Sequence, residues 1–360
     1  MPSGKKRVLI VDDSVFARKI VTDILQSSAE LEVVGAANNG RDALDMIPRL
    51  KPDAVTLDIE MPGLNGLDTL KCIMQDCPTP VLMLSSLTTK GAKESISALS
   101  IGAVDVMAKP HGTHAIGMAS QAKELILKVM TVANVTLDSV QPLSRPAAPV
   151  RRALQPTVRS SSFPVVIIAS STGGPRALRT LVPGLTNEGG VAYVIVQHLP
   201  EGFSGPLAKD LDAFTDLNVR EAADGDSLRP GDVIFAKAGY HCVFEDAATI
   251  RLTRTPPLWG VRPSADVTIA SAVPIYRNRL VGVVLTGMGH DGTDGVRLIK
   301  EAGGMVLAEH ESSCVVYGMP RSAVETGAVD VVTPLDKMAM AVNAVVADKV
   351  GHPRRRDAAA

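Results

Sequence analysis

The sequence predicts two α/β domains, each built around a doubly wound, mostly parallel sheet, with a flexible linker between them. Apolar runs of strand length alternate with amphipathic stretches of helix length, first up to about residue 135 and again from Val165 to about Val350. Between these two blocks, Asp138 to Pro164 is mostly Pro, Ser, Ala and Arg without periodicity, which is typical of a linker. The length of 360 residues suffices for two hydrophobic cores.

The first block contains five predicted βα units. Because the two patterns alternate, the strands are expected to be parallel, with helices on both faces and function at the carboxyl ends of the strands. The predicted strands are Arg7–Val11, Glu32–Ala36, Ala54–Asp58, Val81–Ser85 and Val104–Met107. The predicted helices are Val15–Ser27, Gly40–Leu50, Gly66–Asp76, Lys90–Ile101 and Met118–Val135.

The second block alternates in the same way, with one exception. Leu228–Val233, which reads LRPGDV, predicts a hairpin turn and therefore a β-hairpin on an otherwise parallel sheet. The predicted boundaries are residues 1–137 for the first domain, 138–163 for the linker, 164–350 for the second domain and 351–360 for a disordered tail.

Composition excludes several classes of protein. With 46% hydrophobic and 21% charged residues the chain is globular rather than disordered. A net charge of -1 and only 3% aromatic residues argue against binding to nucleic acid. No apolar run is long enough for a signal peptide or a membrane span, so we expect a cytoplasmic protein without direct membrane insertion. The four cysteines fit no zinc pattern and are expected to be structural thiols.

Acidic residues follow two strands of the first predicted sheet. Asp12 and Asp13 end the first strand and Asp58 ends the third, so three carboxylates converge at one edge. Crowded carboxylates need a hard cation, and Mg²⁺ prefers such oxygen ligands. Ser85 ends the fourth strand and Lys109 follows the fifth; a hydroxyl and an ammonium beside this cluster fit a phosphoryl group on Asp58. The alternative, that each aspartate only caps a helix or turn, does not explain the whole set.

This set, at this spacing, resembles the receiver domain of two-component response regulators over about residues 5–130. The resemblance implies phosphoryl transfer from a histidine kinase to Asp58. It also implies a Mg²⁺ ion held by Asp13, Asp58 and the backbone of Glu60, with Asp12 assisting. The serine and the lysine at the ends of the fourth and fifth strands would then contact the phosphoryl group.

Three apolar strands of the second block each lead into a residue with catalytic potential. The stretch IASSTGGP contains Ser171, QHLP contains His198, and LTGMGHDG contains Asp291. In a parallel sheet these strand ends meet at one edge. A serine that attacks, a histidine that carries the proton and an aspartate that orients the histidine form a triad, whatever their order in the chain.

Other interpretations of these loops compete with the triad. Residues 287–292 read G-x-G-x-x-G after a strand, and Glu309 lies about 20 residues further on, as a dinucleotide-binding fingerprint requires. Two observations argue against a nucleotide-cofactor enzyme: the unit lies late in its block, and Asp291 places negative charge where a pyrophosphate would bind. A phosphate cradle at STGGP is disfavoured because no lysine follows the glycines.

The second block as a whole is similar to the catalytic domain of chemotaxis protein-glutamate methylesterases. The resemblance implies hydrolysis of glutamyl methyl esters on methyl-accepting chemoreceptors, with release of methanol and deamidation of receptor glutamines, without a cofactor for the esterase. It implies Ser171, rather than its neighbour Ser170, as nucleophile, His198 as general base, Asp291 as the orienting acid and the Met288 N–H as an oxyanion donor. The motifs that carry it are ASSTGGP, QHLP, RPSADV, VVLTGMGHDG and VVYGMPR.

The receiver–linker–esterase order is also that of this family. It implies a chemotaxis histidine kinase as phosphodonor and a receiver that restrains the esterase until Asp58 is phosphorylated. The competing interpretation is a response regulator whose second domain only binds a partner. Trp259 and Tyr240 either line the substrate cleft or pack, and Arg262 either pairs with a receptor carboxylate or braces its loop. Three further histidines rank behind His198 as the base; they are His241, His290 and His310.

Overall fold

The computed structural model describes residues 4–86, 88–110, 115–136 and 163–351. The chain forms two compact units, which are described in turn. The predicted linker, except for Phe163, and the predicted tail, except for Gly351, lie outside the described residues. No helix within the described ranges is both long enough and apolar enough to cross a membrane.

The N-terminal unit is a five-stranded parallel sheet flanked by helices, as predicted. Its strands are β1 (Lys6–Val11), β2 (Leu31–Ala37), β3 (Ala54–Asp58), β4 (Val81–Ser85) and β5 (Asp105–Ala108). Its helices are α1 (Val15–Gln26), α2 (Gly40–Leu50), α3 (Gly66–Asp76), α4 (Thr89–Ile101) and α5 (Ala115–Val132). The strand order β2-β1-β3-β4-β5 puts β1 beside β3, so the acidic ends of these two strands are neighbours.

Polar caps begin the first four helices immediately after the strand-end loops. The side chains of Ser14, Asn39, Asn65 and Thr88 each accept a hydrogen bond from a backbone N–H in the first turn of the helix that follows. Every residue of β3 and β4 is buried, as expected for central strands covered by helices on both faces. Each cap thus fixes the residue at which its helix begins after the preceding strand.

The C-terminal unit contains a seven-stranded parallel sheet and a separate three-stranded antiparallel sheet. The strands are β6 (Val165–Ser170), β7 (Ala192–Gln197), β8 (Asn218–Glu221), β9 (Asp226–Ser227), β10 (Asp232–Phe235), β11 (His241–Phe244), β12 (Thr249–Thr253), β13 (Leu280–Val284), β14 (Met305–Glu309) and β15 (Val331–Thr333). The helices are α6 (Gly174–Leu181), α7 (Ser204–Asp212), α8 (Ala265–Tyr276), α9 (Thr293–Glu301), α10 (Met319–Glu325) and α11 (Leu335–Gly351). The large sheet has the order β15-β14-β13-β6-β7-β10-β8, and the small one β11-β12-β9.

Three neighbouring strands, β13, β6 and β7, form the centre of the large sheet, and all their residues are buried. An aromatic cluster extends this core, because the rings of Phe163 and Phe244 both pack against Tyr276. Phe163, the last residue of the predicted linker, is 8% exposed and belongs to this core.

The predicted β-hairpin exists, but the position predicted for it is wrong. The hairpin is formed by β11 and β12, which pair antiparallel. Residues 228–231 instead connect β9 in the small sheet to β10 in the large one, where β10 is parallel to both neighbours. The Pro-Gly turn does reverse the chain, with φ 88° at Gly231. Its local sequence cannot specify which strands will pair, because that depends on distant segments.

Candidate functional site

Three carboxylates converge at the carboxyl edge of the N-terminal sheet. Oxygen atoms of Asp12, Asp13 and Asp58 all lie within 4.8 Å of one another. Asp12 and Asp58 are each 1% exposed, whereas Asp13 is exposed. The Lys109 ammonium lies 2.8 Å from Asp12 Oδ2 and 2.8 Å from Asp58 Oδ2. Three carboxylates thus converge where one ammonium contacts two of them, an arrangement that fits an additional hard cation.

Burial raises the pKa of Asp58 to about 6, although Lys109 lowers it in part and Asp12 raises it further. The backbone N–H of Glu60 donates to Asp58 Oδ1 at 3.2 Å, which fixes the orientation of the carboxylate. Burial disfavours the Lys109 ammonium, but its two carboxylate partners outweigh this effect and raise the pKa of Lys109. The pocket therefore holds two buried acids, Asp12 and Asp58, that share one lysine, so their negative charge is incompletely balanced.

The remaining predicted residues lie at the same edge of this sheet. Ser85 is fully buried at the end of β4, one position beyond the pairing of Asp58 with Leu84. Its hydroxyl donates to Ser86 O at 3.1 Å. Ser14, not Asp13, caps α1. The simpler interpretation of Asp13 as a helix cap is therefore excluded.

In the C-terminal unit, the three predicted triad residues follow three adjacent strands. Ser171 follows β6, and His198 and Asp291 come from the loops after its two neighbours, β7 and β13. His198 Nε2 lies 2.8 Å from Asp291 Oδ2, so this contact passes above the end of β6, where Ser171 lies. Ser171 Oγ makes no hydrogen bond within the described ranges. Without substrate, catalytic hydrogen bonds are often long and tighten only in the complex.

Asp291 is fixed by four donors. Besides His198, its carboxylate accepts from Ser264 Oγ at 2.6 Å, Ala265 N at 2.6 Å and Asp266 N at 3.1 Å. These last three groups form the N-terminus of α8, which itself favours negative charge. Burial raises the pKa of Asp291, but the hydrogen bonds outweigh burial and leave the pKa below its ordinary value. These contacts favour the ionised form of Asp291, which suits it as a hydrogen-bond partner for His198.

The contact through Nε2 leaves the other ring nitrogen of His198 for proton transfer. With Nε2–H donating to Asp291, Nδ1 is unprotonated and can accept a proton. This is the reverse of the ring orientation in the serine-protease triad, where Nδ1 faces the aspartate. The chemistry is equivalent, because either nitrogen can act as the base when the other is held by a carboxylate.

The structure separates the two candidate serines. Ser170 is fully buried, and its hydroxyl donates to Gln197 Oε1 at 2.7 Å. Gln197 Nε2 in turn donates to Ser171 O and to His198 O, both at 2.9 Å. Ser170 therefore has a structural role that ties the β6 and β7 loops together. Ser171, at 9% exposure, is the serine whose hydroxyl is left for chemistry.

Glycine permits the loop after β13 to approach Ser171. A Cβ on Gly287 would lie 2.8 Å from Ser171 Cβ and 2.4 Å from Met319 Sδ, so no side chain fits there. Gly287 O accepts from Gly318 N at 3.1 Å and Met319 N at 2.8 Å. Because the peptide unit is planar, these two bonds also fix the direction of the Met288 N–H, the predicted oxyanion donor.

The nucleotide-cofactor interpretation fails at Glu309. This residue is fully buried, with Oε2 accepting from Thr286 N at 2.8 Å and Oε1 accepting from Ser313 Oγ at 2.9 Å. Asp291, within the same G-x-G-x-x-G stretch, has all its acceptor capacity occupied. Glu309 instead holds the start of the loop that carries Gly287 and Asp291.

Sequence reasoning missed the role of the motif RPSAD. Its serine, Ser264, both caps α8 and orients Asp291. Arg262 braces its own loop by donating to Arg254 O at 3.3 Å and Thr255 O at 3.0 Å. Ser264 N donates to His241 Nδ1, and burial lowers the pKa of this histidine, so His241 is a neutral structural residue. The available signal was a serine at the N-cap position with an acidic residue, Asp266, two positions further on.

Comparisons with known proteins match both units of the chain. The family "Response regulator receiver domain" matches residues 8–119, and the family "CheB methylesterase" matches residues 166–342. A protein-glutamate methylesterase/protein-glutamine glutaminase from Symbiobacterium thermophilum is 44% identical over 353 residues, which covers 95% of this chain and 97% of the relative. One from Thermotoga maritima is 42% identical over 335 residues, covering 92% and 96%. The crystal structure of the Thermotoga maritima CheB methylesterase catalytic domain is 39% identical, covers 52% of this chain and 98% of that chain, and has a TM-score of 0.49.

Proposed function

This chain belongs to the CheB methylesterase family with an N-terminal receiver domain, and from that premise we propose that it hydrolyses glutamyl methyl esters on methyl-accepting chemoreceptors and deamidates receptor glutamines. The observation that carries the proposal is the contact of His198 with a fully hydrogen-bonded Asp291 above the end of β6, next to Ser171. Such an ordered acid–base pair beside a serine is what acyl transfer requires.

The proposed reaction proceeds in two steps through an acyl-enzyme. Ser171 Oγ attacks the glutamyl carbonyl carbon while its proton passes to His198 Nδ1. The Met288 N–H stabilises the oxyanion that forms, and His198 returns the proton to the departing methoxide, which leaves as methanol. Water then attacks the acyl-enzyme, giving up a proton to His198, and the glutamate carboxylate and free Ser171 result. Asp291 keeps the imidazolium oriented throughout, and no cofactor is needed.

Deamidation follows the same route with a different leaving group. A receptor glutamine forms the same acyl-enzyme, and His198 protonates the leaving nitrogen so that ammonia departs. Both reactions end in a glutamate side chain on the receptor. Each turnover therefore replaces a neutral side chain by a negative charge.

The receiver domain supplies the control of this activity. A chemotaxis histidine kinase is the phosphodonor, Asp58 accepts the phosphoryl group, and phosphorylation raises the esterase activity. Asp13, Asp58 and the Glu60 backbone would hold Mg²⁺, with Asp12 assisting, and the ion would neutralise carboxylate and phosphoryl charge. Lys109 and Ser85 bind the phosphoryl oxygens. A cytoplasmic location of the chain is part of this proposal, since its proposed kinase and receptor sites are met there.

The test is methanol release from methyl-esterified receptor membranes, measured with and without Mg²⁺ and a small-molecule phosphodonor. We expect release by the wild-type chain that rises with phosphodonor and falls at least a thousandfold in Ser171→Ala. Ser170→Ala is the matched variant and should retain measurable activity, because its hydroxyl only supports Gln197. No release by folded, phosphorylated wild-type protein would contradict the esterase function.

A serine-directed inhibitor distinguishes the enzyme from a domain that only binds a partner. The inhibitor should label the enzyme at Ser171, and the Ser171→Ala variant should not be labelled. A chain that binds receptors without reacting with the inhibitor would be a binding module instead.

A further inference from the structure

An exposed aromatic ring stands beside the candidate triad, and the proposed reaction leaves it without a role. Trp259 is 52% exposed and is the only tryptophan in the chain. Among the described residues of the C-terminal unit, no other aromatic side chain belongs to the exposed class. A single exposed apolar residue is normal on a protein surface, so the conformation and contacts of Trp259, rather than its exposure alone, are what distinguish it.

The backbone places this ring at an energetic cost. Leu258 and Val261 close a turn through a 3.0 Å hydrogen bond, and its two central residues, Trp259 and Gly260, have φ values of 55° and 80°. Left-handed conformation at both central positions favours Asn and Gly, not a bulky side chain. Strain of this kind concentrates at binding and catalytic sites, so it is a reason to look for a function.

Two contacts hold the ring in one orientation. Trp259 Nε1 donates to Asp266 Oδ2 at 3.1 Å, and Asp266 is itself buried, with Oδ1 accepting from Gly295 N at 2.7 Å. The His290 ring packs edge-on against Trp259, with 4.4 Å between ring centroids and 67° between planes. A ring already fixed in this way loses little conformational entropy when a ligand packs on it.

Both contacts lead directly to the triad. The backbone N–H of Asp266 donates to Asp291 Oδ1 at 3.1 Å, and His290 immediately precedes Asp291 in the chain. The ring is therefore attached to the same scaffold that orients His198, on the side of Asp291 formed by the start of α8 and the loop after β13. Asp291 contacts His198 across β6, the strand that Ser171 follows, so we expect a substrate segment at Ser171 to pass near this scaffold.

We propose that Trp259, supported by His290, forms a wall of the substrate site and packs on apolar side chains that flank the reacting glutamyl residue. This inference rests on the proposed function, since it requires a protein segment as substrate. The wall binds substrate and transition state alike, so its contribution belongs to KM rather than to kcat. Recognition of the receptor is then partly hydrophobic and is separate from the chemistry of the triad.

Substitution kinetics test this role against a merely structural one. Trp259→Ala should raise KM for receptor hydrolysis about tenfold with kcat nearly unchanged, as for a well-packed aromatic anchor. Trp259→Phe keeps a ring but loses the hydrogen bond to Asp266, and its KM should stay near that of the wild type. If Trp259 served only to hold Asp266, both variants would lower kcat equally, which would overturn the proposal. Met340→Ala, an exposed apolar residue of α11, is the control.

The single tryptophan also gives a direct binding measurement. The full-length Ser171→Ala chain is titrated with a tryptophan-free soluble receptor fragment that carries glutamyl methyl esters. Trp259 emission should shift to shorter wavelength and saturate, because the substrate displaces water from the ring. Unchanged Trp259 emission at fragment concentrations that saturate the wild-type enzyme would overturn the proposal that Trp259 contacts the substrate. Failure of the wild type to release methanol from this fragment would instead contradict the proposed function, so the two outcomes are separable.

Discussion

Asp58, the last residue of β3, and Asp291, in the loop after β13, are both buried acids, yet their surroundings shift their pKa values in opposite directions. Both are almost fully buried at the carboxyl edge of a parallel sheet. Asp58 is contacted by Lys109 and one backbone N–H, shares its pocket with Asp12, and has its pKa raised to about 6. Asp291 accepts four hydrogen bonds, and its pKa is lowered despite burial. Burial alone therefore does not determine the direction in which the pKa of a buried acid shifts; its hydrogen-bond donors and neighbouring charges contribute as well.

The difference matches what each acid is proposed to do. Asp58 must gain a cation and a phosphoryl group, so a carboxylate with incompletely balanced charge is useful there. Asp291 must remain unchanged while a proton moves back and forth on His198, so complete hydrogen bonding is useful there. A buried acid at the carboxyl edge of a parallel sheet can thus suit ligand binding or catalysis, depending on which hydrogen-bond donors surround it.

The largest expected effect is that of removing the charge of Asp291. Asp291→Asn should lower kcat for methanol release about 10³–10⁴-fold, because an amide has one acceptor oxygen in place of two and its NH₂ group would oppose the other donors. The measurement is steady-state methanol release from receptor membranes. Asp294→Asn changes an exposed acid three positions away and is the control. A kcat within tenfold of the wild type would show that the four donors do not serve catalysis.

Ser264→Ala is a milder change, because it removes only one of the four donors to Asp291. We expect kcat to fall roughly tenfold, and the free energy of unfolding to fall by about 1 kcal/mol because the cap of α8 is lost as well. Ser264→Thr should restore both quantities.

A third prediction concerns the cation that Asp58 is proposed to bind. Mg²⁺ should bind the wild-type chain in calorimetric titrations, and Asp58→Asn should weaken binding at least tenfold, since one of the converging carboxylates is lost. Asp76→Asn, at an exposed acid of the same unit, should bind like the wild type. Equal affinity in all three proteins would mean that the pocket is not the metal site.

The smallest expected effect concerns Glu309. It tests whether the hydrogen bonds around a buried acid, rather than the unit in which the acid lies, set its pKa. Glu309 lies in the same unit as Asp291, but burial raises its pKa, and only the hydrogen bonds around it, chiefly those from Thr286 N and Ser313 Oγ, oppose that effect. The folded state therefore retains a proton that the unfolded state has lost above about pH 4.5. The free energy of unfolding should fall as pH rises through the folded pKa, by at most about 1.4 kcal/mol per pH unit.

Glu309→Gln should remove this pH dependence while keeping the loop in place. The amide oxygen can accept from Thr286 N, and the amide NH₂ can donate to Ser313 Oγ. Denaturant unfolding followed by Trp259 fluorescence reports on this unit, and Glu311→Gln, at an exposed acid, is the control. Parallel stability–pH curves for the wild type and Glu309→Gln would show that Glu309 ionises normally.

Much of the fold could be predicted because its signals are local. The bounds of β3, β4, α2 and α3 agree with the predicted ones to the residue, since buried apolar runs and polar caps mark them directly. The edge of the sheet at which Asp58 and the triad residues lie also follows from the alternation of strands and helices. The assignment of catalytic roles remains a prediction that the experiments above test.

What could not be predicted depends on contacts between distant segments. The hydrogen bond from Ser264 to Asp291 joins residues 27 positions apart, and nothing in the motif RPSAD indicates its partner. The hairpin was misplaced because a Pro-Gly turn specifies a reversal but not a pairing. The exposure of Trp259 could not be seen either, because an aromatic residue in a loop packs or protrudes according to the tertiary structure.

The order of the central strands has a consequence for how activity is gained during folding. The contact that orients His198 joins residues 93 positions apart, across a strand that precedes both of them in the chain. It forms only after the long segment between β7 and β13 has closed, a step that is slow because its entropic cost comes before its stabilising contacts. Recovery of esterase activity in refolding should therefore lag behind the recovery of helical signal. Activity would then report when β13 and β7 have both paired with β6.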